Sequence, residues 1–154
     1  MTETSLCYLL KGRSILMLYR NKKDHDINHG KWIGVGGKRE NNETFEACAK
    51  RETYEETGYV CHSLHYCGRL EFLFAGGEDE ISYVYSCRDF SGTMKACDEG
   101  ELAWIDIDRL GSLPMWEGDT YFMHRLEEET PFVLTLSYDA SFNLVKVEER
   151  KETL

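Results

Sequence analysis

Three glutamates fall close together in the run Arg51-Glu52-Thr53-Tyr54-Glu55-Glu56-Thr57-Gly58. The stretch from Glu43 to Thr57 is rich in Glu, Ala, Lys and Arg and is followed by Gly58 where a helix would close, so it is predicted to be an α-helix. At about 100° per residue from Phe45, residues Cys48 and Ala49 share one side as a core-facing stripe. Glu52, Glu55 and Glu56 fall on that same side, at about 340°, 280° and 20°. Glu46, Lys50 and Thr57 fall on a solvated side. Carboxylates crowded on a partly buried face repel one another and lose hydration, which requires cations. Oxygen-only ligation suits Mg²⁺ or Mn²⁺ better than zinc, and such an ion keeps several waters and recruits phosphate oxygens. The chemistry expected is therefore phosphate chemistry at a divalent metal. Arg51 lies beside Glu55, where a bidentate pair would fix a carboxylate's orientation. Just before the helix, Val35-Gly36-Gly37-Lys38 lets the backbone approach a ligand closely, and a carbonyl there could complete a metal shell.

The elements that must hold these residues read as alternating apolar runs and turns. Leu6 to Leu10 and Ser14 to Arg20 are predicted strands joined by a hairpin turn at Lys11-Gly12-Arg13. Asn21 to Gly30 reads as a loop, and Lys31 to Gly37 as a strand running into a glycine turn. Beyond the helix, Tyr59 to His65, Arg69 to Phe74, Ile81 to Cys87 and Leu102 to Ile105 read as strands, with a turn at Gly76-Gly77-Glu78-Asp79. Helical signals return over Gly118 to Glu129, and Pro131 to Tyr138 with Asn143 to Val147 close as a hairpin. The expected class is mixed α and β, with a mainly antiparallel or mixed sheet and two helices, in one domain over residues 1–154.

The chain has 154 residues and a net charge of −10, from 18 basic and 28 acidic residues. Such a balance argues against stable binding of long nucleic acid and against anionic lipid, and leaves a polyanionic ligand dependent on a cation. No apolar run approaches the about 20 residues of a membrane-spanning helix. The N-terminus lacks the pattern of a secretory signal, so the expected location is cytoplasmic, with the six cysteines reduced and serving as small core residues. No cysteine pair or histidine spacing points to zinc. A monomer is the default expectation.

Gly37, five residues, Glu43, seven residues, then Arg51-Glu52 with Glu55-Glu56 and Gly58 resembles the Nudix box. Seven fixed positions agree, and Thr53 stands where the family usually has an aliphatic residue. The resemblance implies the Nudix fold, an α/β/α sandwich around a mixed sheet, and hydrolysis of a phosphoanhydride with Mg²⁺ or Mn²⁺. Carried over by residue, it makes Glu52, Glu55 and Glu56 metal ligands, with the Gly36 carbonyl as a further one, and Arg51 a residue that orients them. A water activated by the metal would attack phosphorus. In the loop Cys97-Asp98-Glu99-Gly100-Glu101, Glu99 resembles the family glutamate that reaches the metal site and is a candidate general base, with Glu101 as its competitor.

Substrate choice must come from outside the box. Trp116 followed by Asp119 offers a flat stacking surface and a carboxylate for a purine edge. Together with Gly30 to Lys38 and Asp98-Glu99, this Met-Trp-x-x-Asp segment is similar to the MutT-homologue group that hydrolyses oxidised purine nucleoside triphosphates. That resemblance implies a small nucleotide substrate such as 8-oxo-dGTP, cleaved to monophosphate and pyrophosphate to sanitise the nucleotide pool. Gly37, Lys38 and Arg20 become phosphate or sugar neighbours. Two residues depart from the group: Ile33 replaces an asparagine that touches the base, and Gly118 replaces the first of two aspartates. The proline and tyrosine signatures of ADP-ribose and diadenosine polyphosphate enzymes do not occur in Phe74-Ala75-Gly76-Gly77. The competing readings are removal of pyrophosphate from RNA 5′ ends and a Nudix module that binds a nucleotide without cleaving it.

Overall fold

The computed structural model describes residues 1–152. Strands β1 (Thr2–Lys11) and β2 (Ser14–Tyr19) form the expected hairpin, turning at Gly12. Thr4, Ser5 and Cys7 to Leu10 are buried, on both sides of the strand, because β1 lies inside the sheet with both faces covered. Two short strands, β3 (Trp32–Ile33) and β4 (Val35–Lys38), pair with β2 and β1 respectively. Gly36 and Gly37 are therefore ladder residues of β4 opposite Leu6 and Ser5, where a glycine turn was expected.

Helix α1 (Phe45–Thr57) begins two residues later than predicted. Its cap is Thr44, whose hydroxyl accepts the Ala47 N–H at 3.0 Å, and it ends on Gly58 in the left-handed region. Cys48 and Ala49 face the core as expected. Thr57 does not join the solvated side. It is fully buried and donates to the Thr53 carbonyl at 2.6 Å, since the last turn tucks under the strand that follows.

That strand, β5 (Tyr59–Phe74), is one long element where two were expected, with bulges at Cys61 to His65 and at Tyr66 to Gly68 that interrupt the pattern without ending the ladder. It pairs antiparallel with β6 (Glu80–Gly92) and parallel with β8 (Phe132–Tyr138). Strand β7 (Glu101–Asp106) pairs with β2, and β9 (Leu144–Lys151) closes a hairpin with β8. The order β3-β2-β1-β6-β5-β8-β9 is a mixed sheet, as expected, with β6 parallel to β1.

The second predicted helix does not form. Its residues make a 3-10 turn, Glu117–Tyr121, and then irregular chain. Gly118, Asp119 and Thr120 are weak helix formers, and side chains of the sheet take the Leu126 carbonyl, from Ser86 at 2.7 Å and Cys67 at 3.2 Å. The segment still buries Phe122, Met123 and Leu126 against the sheet face that carries Leu70, Val84 and Leu134. On the opposite face Cys7, Leu9, Val35, Cys61 and Cys87 pack with Ala49 of α1. All six cysteines are buried and unpaired. Among the described residues no helix is long and apolar enough to cross a membrane.

Candidate active site

One cavity of about 590 Å³ is lined by β1 and β4 and receives side chains from most of the elements above. At one end lie Glu52, Glu56, Glu99, Arg20, Gly36, Gly37 and Lys38. Glu56 is partly buried at this end. Its Oε2 accepts the Gly36 N–H at 2.9 Å, and the Glu99 carboxylate stands close beside it. Burial and the proximity of Glu99 hold the Glu56 carboxyl well above the usual carboxylate range. Burial likewise raises Glu52. Gly37 makes this proximity feasible, because a Cβ there would stand 2.5 Å from the Glu52 carboxylate carbon.

Arg51 organises the rest of the cluster. Its Nε and Nη2 grip Glu43 through both carboxylate oxygens, at 2.6 and 3.0 Å, while Nη1 reaches Glu52 at 2.8 Å and Glu55 at 3.3 Å. Nη2 also donates to the Lys38 carbonyl at 3.2 Å. The pairing holds Glu43 far below the usual range, at about 2. The bidentate partner is thus Glu43, which tethers the chain before α1, and Glu55 is a looser neighbour at the rim, its side chain 56% exposed. Arg20 is similarly committed, to Asp26 at 2.6 Å and Glu99 at 2.9 Å. Glu101 is exposed on β7 and does not line the cavity, so Glu99 is the loop acid that the fold delivers to the site.

The donor set suits a hard divalent cation. Two carboxylates in contact, Glu56 and Glu99, need either a shared proton or a cation between them, and Glu52 adds a third set of oxygens. Among the described residues no three acidic, histidine or cysteine side chains are closed into a ready cage. Arg51 pairs with Glu52 and Glu55, and Arg20 with Glu99, so a cation would compete with these arginine contacts.

The other end is aromatic with few polar groups. Trp116 stands against Phe74, Tyr138 and Phe142, with ring centroids 6.0, 5.2 and 6.0 Å away, and Lys31 Nζ lies 4.8 Å from its ring centre. Asp119 is buried, and burial alone lifts its carboxyl to about 7. The buried Tyr8 ring also lines this end, near enough to Asp119 for the two charges to disfavour each other. Ile33 lines the wall and offers no polar group.

A model of the NUDIX domain matches residues 3–126. The chain belongs to the Nudix family of hydrolases. It is 30% identical over 112 residues to the oxidized purine nucleoside triphosphate hydrolase of Danio rerio, a match covering 72% of each chain. With the protein of that name from Mus musculus it shares 29% over 129 residues, covering 83% of this chain and 81% of the relative. The structure of a mutator MutT protein from Bacillus halodurans superposes with a TM-score of 0.84 at 26% identity, covering 99% of this chain and all of the other.

Within this Nudix frame, the two departures noted in the sequence have different causes. A Cβ at Gly118 would come within 2.7 Å of both Leu136 Cδ1 and the Tyr138 hydroxyl, which accepts the Gly118 N–H at 2.8 Å, so an aspartate there would require these side chains to shift. Ile33 has no such constraint in view. The sequence reading assigned no role to Glu43, Tyr8, Asn28, Phe72, Phe74 or Phe142. Glu43 was visible as a fixed position of the Nudix box. The others lie on strands and loops far from it, and only the pairing of β1, β5 and the β8–β9 hairpin brings them to the cavity.

Proposed function

We propose that residues 1–154 act as one Nudix domain, monomeric, that hydrolyses purine nucleoside triphosphates to the monophosphate and pyrophosphate, with oxidised purines such as 8-oxo-dGTP preferred. The observation that carries this reading is the continuity of one cavity from the acids Glu52, Glu56 and Glu99 to the aromatic wall at Trp116 and the buried Asp119. A purine stacks on Trp116 and presents its edge to Asp119, and its phosphates then extend toward Lys38 and the acids. The names of the zebrafish and mouse relatives support the substrate class.

Glu52, Glu55 and Glu56, with Glu99 and the Gly36 carbonyl, would hold Mg²⁺ or Mn²⁺, which when bound neutralises phosphate charge and lowers the pKa of water. The residues of the chain supply the rest. Arg51, anchored on Glu43, orients Glu52 and Glu55. The Gly36 N–H fixes one oxygen of Glu56, and Glu99 stands beside it as the group able to take a proton from the attacking water. Asp119, with a carboxyl near 7, can donate to as well as accept from a purine edge at neutral pH.

The test is kcat/KM with Mg²⁺ over normal and oxidised purine triphosphates, ADP-ribose, diadenosine tetraphosphate and 5′-triphosphate RNA. A preference of at least tenfold for an oxidised purine triphosphate supports the reading. Greater activity on the RNA would replace it with 5′-end processing, and binding without turnover under any divalent ion would make the protein a nucleotide-binding module.

A further inference from the structure

The loop from Asn21 to Gly30 is polar, yet it enters the aromatic end of the cavity through Ile27 and Asn28. There the Trp116 indole Nε1 donates to Asn28 Oδ1 at 2.7 Å. An indole N–H can only donate, so it dictates which end of the Asn28 amide it meets: the oxygen. The NH₂ group, with two donors, is left for another partner, on a residue that lines the cavity.

The position of this amide is set by the acid end of the site. The Asn28 backbone N–H donates to Asp26 Oδ1 at 3.1 Å, and the Asn28 carbonyl accepts the Lys31 N–H at 2.9 Å. The other Asp26 oxygen receives Arg20 Nε at 2.6 Å, and Arg20 Nη1 reaches Glu99 at 2.9 Å. Arg20 and Asp26 are themselves largely buried, with side chains 15% and 9% exposed. A continuous chain of hydrogen bonds therefore runs from Trp116 through Asn28, Asp26 and Arg20 to Glu99, and it holds the amide in fixed register with the acids.

We propose that Asn28 reads the base: its side-chain NH₂ donates to an acceptor on the edge of a purine stacked at Trp116, and so favours a keto oxygen over an amino group. The inference rests on the purine nucleotide reading above. It gives the wall that carries the apolar Ile33 a hydrogen-bond donor, and it separates the roles of two polar residues. Asp119 can both accept and donate, whereas the free end of Asn28 can only donate. Discrimination arises because an amino group facing the Asn28 NH₂ would leave two donors opposed and desolvated.

The experiment measures binding of dGMP, 8-oxo-dGMP and dAMP by calorimetry in chelator, and kcat/KM for the corresponding triphosphates with Mg²⁺. It compares wild type with Asn28→Asp and Asn28→Ala. Asn28→Asp keeps an oxygen for the Trp116 N–H and replaces the donor by an acceptor, while Asn28→Ala removes the donor without adding charge. The expected result is a fall of about tenfold in the preference for keto-bearing over adenine nucleotides in both variants, in binding as well as in kcat/KM. Taking the ratio cancels any effect of charge on the phosphates that all ligands share. An unchanged ratio in both variants, whatever the absolute affinities, would overturn the assignment and leave Asn28 as a support for Trp116. Purine triphosphates turned over by wild type with that unchanged ratio would leave the functional reading intact. A wild type that neither binds nor hydrolyses any of these nucleotides would defeat the reading and the assignment together.

Discussion

Thr53 is fully buried in the middle of α1, and its Oγ1 has no hydrogen-bond partner among the described residues. A buried hydroxyl without a partner costs free energy that an isosteric methyl does not. Thr53→Val should therefore stabilise the protein by about 1 kcal/mol, read as a higher urea midpoint at unchanged slope, with activity retained. Asp119 makes a second residue-level prediction, in pH. Folding lifts its carboxyl from the ordinary value near 4 to about 7, so as pH rises the unfolded chain loses its proton first. Stability is fully present below pH about 4 and is lost progressively up to pH about 7, by about 4 kcal/mol in all. Relative to wild type, Asp119→Asn should gain stability across that window and show a constant difference above it, in denaturation midpoints measured from pH 4 to 8. A pH-independent difference would mean that the carboxyl ionises in the folded protein as it does in water. The sequence singled out the three helical glutamates by their spacing and Asp119 by the Met-Trp-x-x-Asp segment that resembles the MutT-homologue group. It could not disclose that Asp119 is buried, nor that Glu55 stands at the rim, because burial depends on what packs above each residue.

The elements that carry the aromatic end of the site include a strained one. Phe142, at the tip of the β8–β9 hairpin, has φ 61°, a region that bulky residues avoid. Asp139 holds the tip in shape, its Oδ1 accepting the N–H groups of Ser141 and Asn143 at 2.9 Å each. The strained residue is the one that lines the cavity beside Phe74 and Trp116. Phe142→Gly should relieve roughly 1 kcal/mol of backbone strain while forfeiting that packing, so the melting temperature moves by a few degrees at most. KM for a purine triphosphate should rise about tenfold at nearly constant kcat, since the wall is lost and the acids are untouched. A fall in kcat with unchanged KM would show that Phe142 is remote from the base. Most strands were legible from alternating apolar runs and turn residues. The long β5 was not, since its bulges mimic a strand end, and the second helix was over-read because Phe122, Met123 and Leu126 have helical spacing without helical backbone.

At the scale of the molecule, a chain with net charge −10 gathers acids at one end of a cavity and an aromatic surface at the other. Neither end is local in sequence: β1, α1, the loop before β7 and the β8–β9 hairpin each deliver part of it. The Nudix box revealed only the part of the acid end carried by α1 and β4, namely Glu52, Glu56, Gly36 and Gly37, while Glu99 and Arg20 come from elsewhere in the chain. The aromatic end was only half legible, through Trp116 and Asp119, since Tyr8, Asn28 and Phe142 reach it by tertiary folding alone. Central to the proposed function is that the acids act on a purine triphosphate bound in this cavity. The measurement that tests it most directly is a single-turnover reaction of 8-oxo-dGTP with Mg²⁺, products resolved by chromatography, for wild type and Glu56→Gln. Glutamine mimics the protonated carboxyl that burial and Glu99 favour, so the variant should melt no lower than wild type. Wild type should yield 8-oxo-dGMP and pyrophosphate, and Glu56→Gln should slow that step by about a thousandfold or more. Equal rates in the two proteins, or no cleavage by wild type, would contradict the account.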